Sequence, residues 1–151
     1  MTPRGATGGP VAGLLRARGL RASTARRLVL EALQLAGVPV TAEQIAGGLD
    51  GRLPAGDLAS VYRNLEVLAT HGLAVQVHLG HGPARWALPG REYLTCEGCG
   101  GHVAVDPAEL DAVRQAIRWA TGFHADFTRF PIAGRCPACA PAAPTALRRS
   151  A

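Results

Sequence analysis

The sequence predicts an α+β protein of two domains: a helical N-terminal domain that ends in a β-hairpin, and a small α/β domain fastened by four cysteines. Helical apolar patterns occupy the first half of the chain, two short alternating runs follow them, and two C-x-x-C pairs mark the second half. A chain of 151 residues can bury one good core or two small ones. Its 48% apolar and 18% charged residues exclude wholesale disorder, and no apolar run approaches the roughly 18 residues that span a bilayer.

The first helices are predicted from their apolar spacing and from the signals at their ends. Residues 1–10 are rich in Gly, Pro and Thr and are expected to form a flexible arm. A short helix follows over 11–18, and Ser23 is a favourable N-cap for the next one. Thr41 begins a further short helix through a capping box, with Leu49 on its apolar side.

The next helix is expected to begin at Asp57 or Ala59 and to run to His71, and it combines an apolar stripe with a polar N-terminal end. Its stripe has the i, i+4, i+7 spacing of a core-facing side and consists of Val61, Leu65 and Leu68. Its polar end carries Ser60, Tyr62, Arg63 and Asn64. Two helices joined by a turn, the second with such an end, are typical of a helix-turn-helix, since Arg and Asn read guanine and adenine edges. An ordinary amphipathic helix with a solvated face explains these residues equally well.

A β-hairpin is predicted directly after this helix. Residues 74–79 and 85–88 alternate as strands, and a turn rich in Gly and Pro separates them. A hairpin that follows a helix-turn-helix is typical of the wing of a winged helix, so we assign residues 11–88 to a winged helix-turn-helix domain. A Pro-Gly pair comes next, and residues 89–91 are expected to be a hinge.

The second domain is predicted to span residues 92–140. Its strands are expected at 92–95, 103–105 and 125–133. Asp106 and Pro107 are an N-cap and a first helical residue, and the helix that they begin has its apolar positions at Leu110, Val113, Ile117 and Ala120. Residues 141–151 show no periodicity and are expected to be a disordered tail.

Four cysteines, Cys96 and Cys99 with Cys136 and Cys139, form the two C-x-x-C pairs and are all the cysteines in the chain. Each pair can place two sulfurs on one side of a tight turn, and two pairs complete the tetrahedral thiolate shell that structural zinc prefers. Redox or disulfide chemistry and plain buried thiols are the alternatives. The sequence shows no secretory apolar region, so a reducing cytoplasm is expected, and this favours metal binding.

The charge of the chain suits a nucleic-acid partner. The net charge is +5 with a pI near 9.7, and all sixteen basic side chains are arginines. Many basic proteins bind no nucleic acid, and abundant Ala, Gly and Pro indicate a coding bias that explains the preference for arginine. The charge therefore permits a DNA partner without requiring one.

Taken together, the motifs resemble the ferric uptake regulator (Fur) family of bacterial metal-responsive repressors, in the family's order over about residues 11–140. The matching stretches are Gly-Leu-Arg-Ala-Ser-Thr-Ala-Arg-Arg (19–27), Thr-Ala-Glu-Gln-Ile (41–45), Ala-Ser-Val-Tyr-Arg-Asn-Leu-Glu-Val-Leu (59–68), His-Gly-Leu-Ala (71–74), Cys-Glu-Gly-Cys-Gly (96–100), Thr-Gly-Phe (121–123) and Gly-Arg-Cys-Pro-Ala-Cys (134–139). The resemblance implies a winged-helix DNA-binding domain, a dimerisation domain, one structural zinc per protomer on the four cysteines, and a homodimer that reads an operator in double-stranded DNA.

The resemblance also assigns the DNA contacts. Tyr62 and Arg63 are implied to lie in the major groove, with Ser60 and Asn64 beside them. Arg21 and Arg26 are implied to contact the backbone or the minor groove.

The sensory metal site of the family does not carry over. Its histidines and acids are replaced by Pro39, Ala87, the segment 91–93 (Arg-Glu-Tyr) and Thr128. A transition-metal site of imidazoles and carboxylates cannot be built from these side chains. A relocated second site could draw on His78, His81, His102, His124 and Asp126. Surface histidines without a ligand role are the favoured interpretation.

The sequence thus predicts a homodimeric, sequence-specific DNA-binding regulator, most simply a repressor, in the cytoplasm, with no enzymatic activity, small-molecule substrate or membrane partner. The dimer either binds DNA constitutively, senses a metal at a new site, or responds to thiol oxidation that releases zinc. The rival hypotheses are a zinc-ribbon redox protein that uses its C-x-x-C pairs and an adaptor that does not bind DNA.

Overall fold

The computed structural model describes residues 9–141, and the elements below refer to that range. The helices are α1 Pro10–Ala17, α2 Thr24–Ala36, α3 Ala42–Ala46, α4 Gly48–Gly51, α5 Leu58–Thr70 and α6 Asp111–Thr121, with a 3-10 turn at Pro107–Leu110 before α6. The strands are β1 Val75–Val77, β2 Arg85–Ala87, β3 Glu92–Cys96, β4 His102–Val105 and β5 Ile132–Gly134. The predicted ends of the chain lie mostly outside the described range. Pro10 belongs to α1 and not to the arm.

Three helices of the first half, α2, α3 and α5, begin directly after a capping side chain. The Ser23 hydroxyl accepts a hydrogen bond from the backbone of the third residue of α2, at 3.3 Å. Thr41 and Gln44 form the predicted capping box of α3. The Asp57 carboxylate accepts from Ser60 N at 2.7 Å and begins α5. Each side chain satisfies an amide that the helix itself leaves unpaired, so local sequence suffices to set these boundaries.

One continuous core joins α1, α2, α3, α5 and the start of the wing. Its most deeply buried side chains are Leu15, Leu30, Leu33, Leu65 and Leu68. Trp86, from β2, closes the core on the wing side. Every buried member of this core falls between Val11 and Trp86, so the first half of the chain contains its own hydrophobic centre.

The wing is an antiparallel pair of β1 and β2 in which Gln76 lies opposite Trp86. Val40 adds to it from the turn before α3, since its backbone exchanges hydrogen bonds of 2.9 and 2.7 Å with Trp86. Val77 and Ala87 then pack with Tyr93 in a small second cluster, which joins the wing to β3.

The second sheet has the order β4-β3-β5. β3 runs antiparallel to β4 and parallel to β5, with Cys96 opposite Gly134. Because β3 and β5 run the same way, the two C-x-x-C turns that follow them lie at the same end of the sheet. The pairing of strands therefore assembles the cysteine cluster.

Two local predictions are wrong. The predicted short helix through Leu49 is broken, because Leu49 and Asp50 adopt left-handed backbone angles (φ 51° and 58°). Of the predicted strand 125–133, only β5 forms. Asp126 accepts a hydrogen bond from Thr128 N at 2.9 Å, and this Asx turn bends the chain away from an extended path.

The predicted apolar positions of α6 are largely uncovered within one chain. No residue of α6 is buried, and Trp119 is 96% exposed. Within the described range, no helix has both the length and the apolar character needed to cross a bilayer.

Candidate metal centre and nucleic-acid interface

The four cysteines form one cluster at the end of the second sheet. Their sulfurs all lie within 4.8 Å of one another, and Cys99 Sγ is 4.0 Å from Cys136 Sγ. Cys96 is buried at the end of β3, whereas Cys99 is exposed on the turn. Within residues 9–141, this is the one group of three or more Cys, His, Asp or Glu side chains close enough to share a metal ion.

The cluster fits a structural zinc ion. Zn–S bonds of about 2.3 Å in a tetrahedron place the sulfurs about 3.8 Å apart, close to the separations seen here. All four positions are protein thiols, so no coordination site remains for a substrate or a reactive water. Such a donor set gives a closed structural site and not a catalytic one.

The electrostatics of the cluster also suit a bound cation. Hydrogen bonds from the backbone, the strongest from Cys136 N at 3.3 Å, lower the pKa of the Cys96 thiol to about 6. The neighbouring sulfurs of Cys136, Cys96 and Cys99 raise the pKa of Cys139 to about 12. The protein alone thus stabilises the thiolate of Cys96 and opposes that of Cys139, and a divalent ion bound to the sulfurs would offset this opposition.

Gly98 is required by the shape of the first C-x-x-C turn. A Cβ atom on Gly98 would lie 2.8 Å from Cys139 Cβ and 3.1 Å from its sulfur. The two turns therefore approach so closely that only glycine fits between them.

We predict that Gly98→Ala weakens zinc binding at least tenfold, because the added methyl group pushes the second turn away from the first. Competition with a chelator that reports zinc release measures the effect. Gly134→Ala is the matched control, since a Cβ there meets nothing within 4 Å. Equal zinc affinity in the two variants would contradict the predicted contact.

The polar residues predicted to contact DNA lie on the outer face of α5. Arg63 and Tyr62 are exposed, and Ser60 and Asn64 are half-buried. Among the described residues, Arg63 has no hydrogen-bond or ion-pair partner, and its guanidinium is available to a ligand. The opposite face of α5 is the buried stripe of Val61, Leu65 and Leu68.

Two of these side chains already have partners within the protein. Tyr62 donates its hydroxyl hydrogen to Glu43 Oε1 at 3.1 Å, which links α5 to α3 and raises the pKa of Tyr62. Asn64 donates its amide to the Ser60 carbonyl at 2.9 Å, one turn earlier on α5. Arg63 is therefore the side chain of this set that is best placed to reach outward.

Arg21 and Arg26 lie at the N-terminal end of α2. Arg26 Nη1 donates to the Arg21 carbonyl at 2.9 Å, which fixes the segment that leads into the helix. The first turns of α2 and α5 border one cavity of about 130 Å³, lined by residues that include Ala25 and Ser60. The structure thus brings the first turns of α2 and α5 close together.

Three of the positions that replace the family's sensory ligands meet at the hinge, whereas Pro39 and Thr128 do not line the same cavity. Ala87, Arg91 and Tyr93 line a cavity of about 220 Å³, with Gly37 and Val38 on its other side. Burial raises the pKa of the Tyr93 hydroxyl, which keeps it neutral. A methyl, a guanidinium and a neutral phenol do not fit a transition-metal ion. Thr128 lies elsewhere, beside Trp86 and Arg129 in the cleft between the two halves.

The residues considered for a relocated site are dispersed. His78 stacks on Phe130, with ring centroids 5.6 Å apart, and His102 packs edge-on against Tyr93. The remaining three, His81, His124 and Asp126, are exposed. The shared strand face expected for His124 and Asp126 does not form, because the chain turns there.

Three residues of interest were not singled out from the sequence. Glu43 holds Tyr62, and a buried Glu92 pairs with Arg114. Their partners are 19 and 22 residues away in the chain, and no local pattern marks such pairs.

Comparison with solved structures places this fold among known proteins. The ferric uptake regulator of Pseudomonas aeruginosa, solved with manganese, has a TM-score of 0.66 and 24% identity over 85% of this chain and 98% of its own. The Vibrio cholerae ferric uptake regulator has a TM-score of 0.62 and 22% identity over 83% of this chain and 98% of its own. At these identities the likeness is one of fold.

Sequence comparison identifies the family. The profile of the ferric uptake regulator family matches residues 17–130. The peroxide operon regulator of Bacillus subtilis (strain 168) is 32% identical over 127 residues, which cover 83% of this chain and 88% of that protein. With more than half of the chain matched, this protein belongs to the ferric uptake regulator family, a family of metal-responsive transcriptional regulators.

Proposed function

We propose that this protein is a homodimeric DNA-binding repressor with a winged-helix domain at residues 11–88, a hinge at 89–91 and a zinc-stapled dimerisation domain at 92–140. The observation that carries the proposal is Arg63 on the outer face of α5, which is exposed and has no hydrogen-bond or ion-pair partner among the described residues. The rest of the geometry agrees with this role.

For DNA binding, α5 acts as the recognition helix. Its buried stripe fixes its orientation against α2 and α3, and its polar end faces outward to the major groove. Arg63 reads a base edge, and Tyr62 and Ser60 contact the DNA next to that base. Asn64 joins them in contacting DNA once its hydrogen bond to the Ser60 carbonyl is released. Arg21 and Arg26 bind the phosphate backbone or the adjacent minor groove.

For dimerisation, the second domain offers an uncovered apolar surface. Trp119 is 96% exposed and Val103 58% exposed, and no residue on the apolar side of α6 is fully buried within its own chain. A second copy is the simplest cover for this surface, because two symmetric domains then present two recognition helices to two half-sites.

For the metal, Cys96, Cys99, Cys136 and Cys139 bind one structural zinc per protomer. When bound, the ion supplies the cross-link between the C-terminal ends of β3 and β5. The chain's own contribution is the parallel pairing of these strands, the narrow turn at Gly98 and the backbone amides directed at the sulfur of Cys96.

For sensing, the hinge does not provide a metal site, and the described histidines do not replace it. Two possibilities remain. Either the dimer binds DNA constitutively, without a trigger, or oxidation of the zinc thiolates releases it from DNA. The likeness to a peroxide operon regulator makes peroxide the oxidant to test first.

The test is a titration of purified zinc-loaded protein against a labelled fragment of its own promoter, read by fluorescence anisotropy. We expect binding whose affinity falls by about 10³-fold or more between 50 and 200 mM salt, and which does not change with added iron or manganese. Loss of binding with peroxide indicates thiol sensing, and no change with any addition indicates constitutive binding. Failure to bind promoter DNA at low salt would reject the regulator and favour the adaptor.

A further inference from the structure

Arg114 in α6 connects three separate parts of the second domain. Its Nη1 donates to the Pro107 carbonyl at 2.7 Å and to Asp111 Oδ1 at 3.0 Å. Its Nη2 donates to Glu92 Oε1 at the start of β3. The face of its guanidinium lies over the Phe127 ring, 5.4 Å from the ring centroid. One cation therefore gathers oxygen ligands from β3, from the 3-10 turn and from the first turn of α6.

Glu92 makes this arrangement more than a surface ion pair. Its side chain is 4% exposed, and its second oxygen, Oε2, is buried without any partner among the described residues. A buried carboxylate is very costly when it has no counter-charge. Arg114 is the cation next to Glu92, and it stays protonated at every physiological pH.

The oxygen set around Arg114 is of the kind that binds a hard divalent ion. It contains the buried carboxylate of Glu92, the exposed carboxylate of Asp111 and a backbone carbonyl, and Glu92 Oε2 is buried without a partner among the described residues. Mg²⁺, Mn²⁺ and Ca²⁺ prefer oxygen ligands from carboxylates and carbonyls. The oxygen donors are therefore those of a metal site, but the cation that they surround is the guanidinium of Arg114.

We propose that the Arg114 guanidinium is a built-in cation at an oxygen-ligand site formed by Glu92, Asp111 and the Pro107 carbonyl, in the place that a hard divalent metal would otherwise take. Glu92 directly follows the hinge at 89–91, so this cation fastens the hinge end of β3 to α6. The consequence for regulation rests on the proposed function. A regulator in which Arg114 holds β3 to α6 needs no second metal ion to connect these two elements. The site itself does not depend on DNA binding.

The experiment removes the arginine and asks whether a metal can replace it. Zinc-loaded Arg114→Ala is titrated with Mn²⁺, with bound Mn²⁺ measured by electron paramagnetic resonance and thermal stability by calorimetry. Manganese is chosen because it prefers oxygen ligands and competes poorly for the thiolates. We expect Tm to fall by about 10 °C without Mn²⁺. We also expect recovery of Tm with Mn²⁺, with one ion bound per protomer at a Kd of about 10⁻⁴–10⁻³ M.

Three controls make the result specific. The wild type should bind no Mn²⁺ and show no change in Tm. Arg118→Ala, which removes an exposed arginine from the same helix, should behave like the wild type. Glu92→Gln combined with Arg114→Ala removes the buried charge, and it should be more stable than Arg114→Ala alone and bind no Mn²⁺.

Each other outcome overturns the proposal. A folded Arg114→Ala protein that binds no Mn²⁺ overturns it, and so does one that stays unfolded at saturating Mn²⁺. If the wild type binds Mn²⁺ and Glu92→Gln abolishes this binding, the site accepts metal despite the arginine, and the proposal is overturned. None of these readouts involves DNA, so a failure of the regulator hypothesis in the promoter titration leaves them unaffected.

Discussion

Replacing Cys136 by Ser is expected to abolish zinc binding and to leave the second domain unfolded or monomeric. A structural zinc supplies roughly 10–16 kcal/mol of apparent binding free energy in small peptides, whereas a whole domain is stable by only about 5–15 kcal/mol. The small cluster that joins the wing to β3, Val77, Ala87 and Tyr93, has only Tyr93 from the second domain and cannot compensate for the loss.

The measurements are metal content by elemental analysis and mass by light scattering on the purified protein. Ala138→Ser is the matched control, because it adds the same hydroxyl group to an exposed position of the same turn. We expect one zinc per protomer and a dimer for the wild type and for this control. A Cys136→Ser protein that still binds zinc and remains dimeric would show that the cysteine cluster does not hold the second domain together.

Replacing Arg63 by Ala is expected to weaken operator binding by about 1–3 kcal/mol and to relax the preference for one base pair. The effect should be large because Arg63 is exposed and, unlike Tyr62 and Asn64, is not engaged by another described residue. Binding to a set of operators, each with one base pair changed, measures both the affinity and the preference.

Arg63→Lys separates the two roles of the side chain. It keeps the positive charge but loses the planar fork that pairs with guanine, so it should retain nonspecific affinity and lose the base preference. Arg118→Ala, on α6, should bind as the wild type does. Uniform weakening across all operators by Arg63→Ala would reassign the residue to a phosphate contact.

The features that the sequence predicts well are those with a local cause. The starts of α2, α3 and α5 follow from a cap residue and the amides next to it in the chain. The cysteine cluster is also predictable, because its two halves are recognisable from spacing alone and zinc chemistry requires them to meet.

The features that it predicts poorly depend on contacts between distant residues. The apolar run near Leu49 suggests a helix, but Gly48 packs so closely on the Leu53 carbonyl that a Cβ atom there would lie 2.2 Å away, and the backbone reverses. Glu92 and Arg114 each look like an ordinary surface charge. Only the fold, which places Arg114 of α6 beside the buried Glu92 of β3, reveals that the two are paired.

The order of the elements along the chain has a consequence for synthesis in the cell. The core of the first half is complete once residue 86 has left the ribosome, whereas Cys136 and Cys139 follow about 50 residues later. The helical half can therefore fold as a monomer while the rest of the polypeptide is still being translated. Under the proposed function, zinc binding must wait for the second C-x-x-C pair, so we expect a shortage of zinc to stop assembly at a monomer whose helical half is folded.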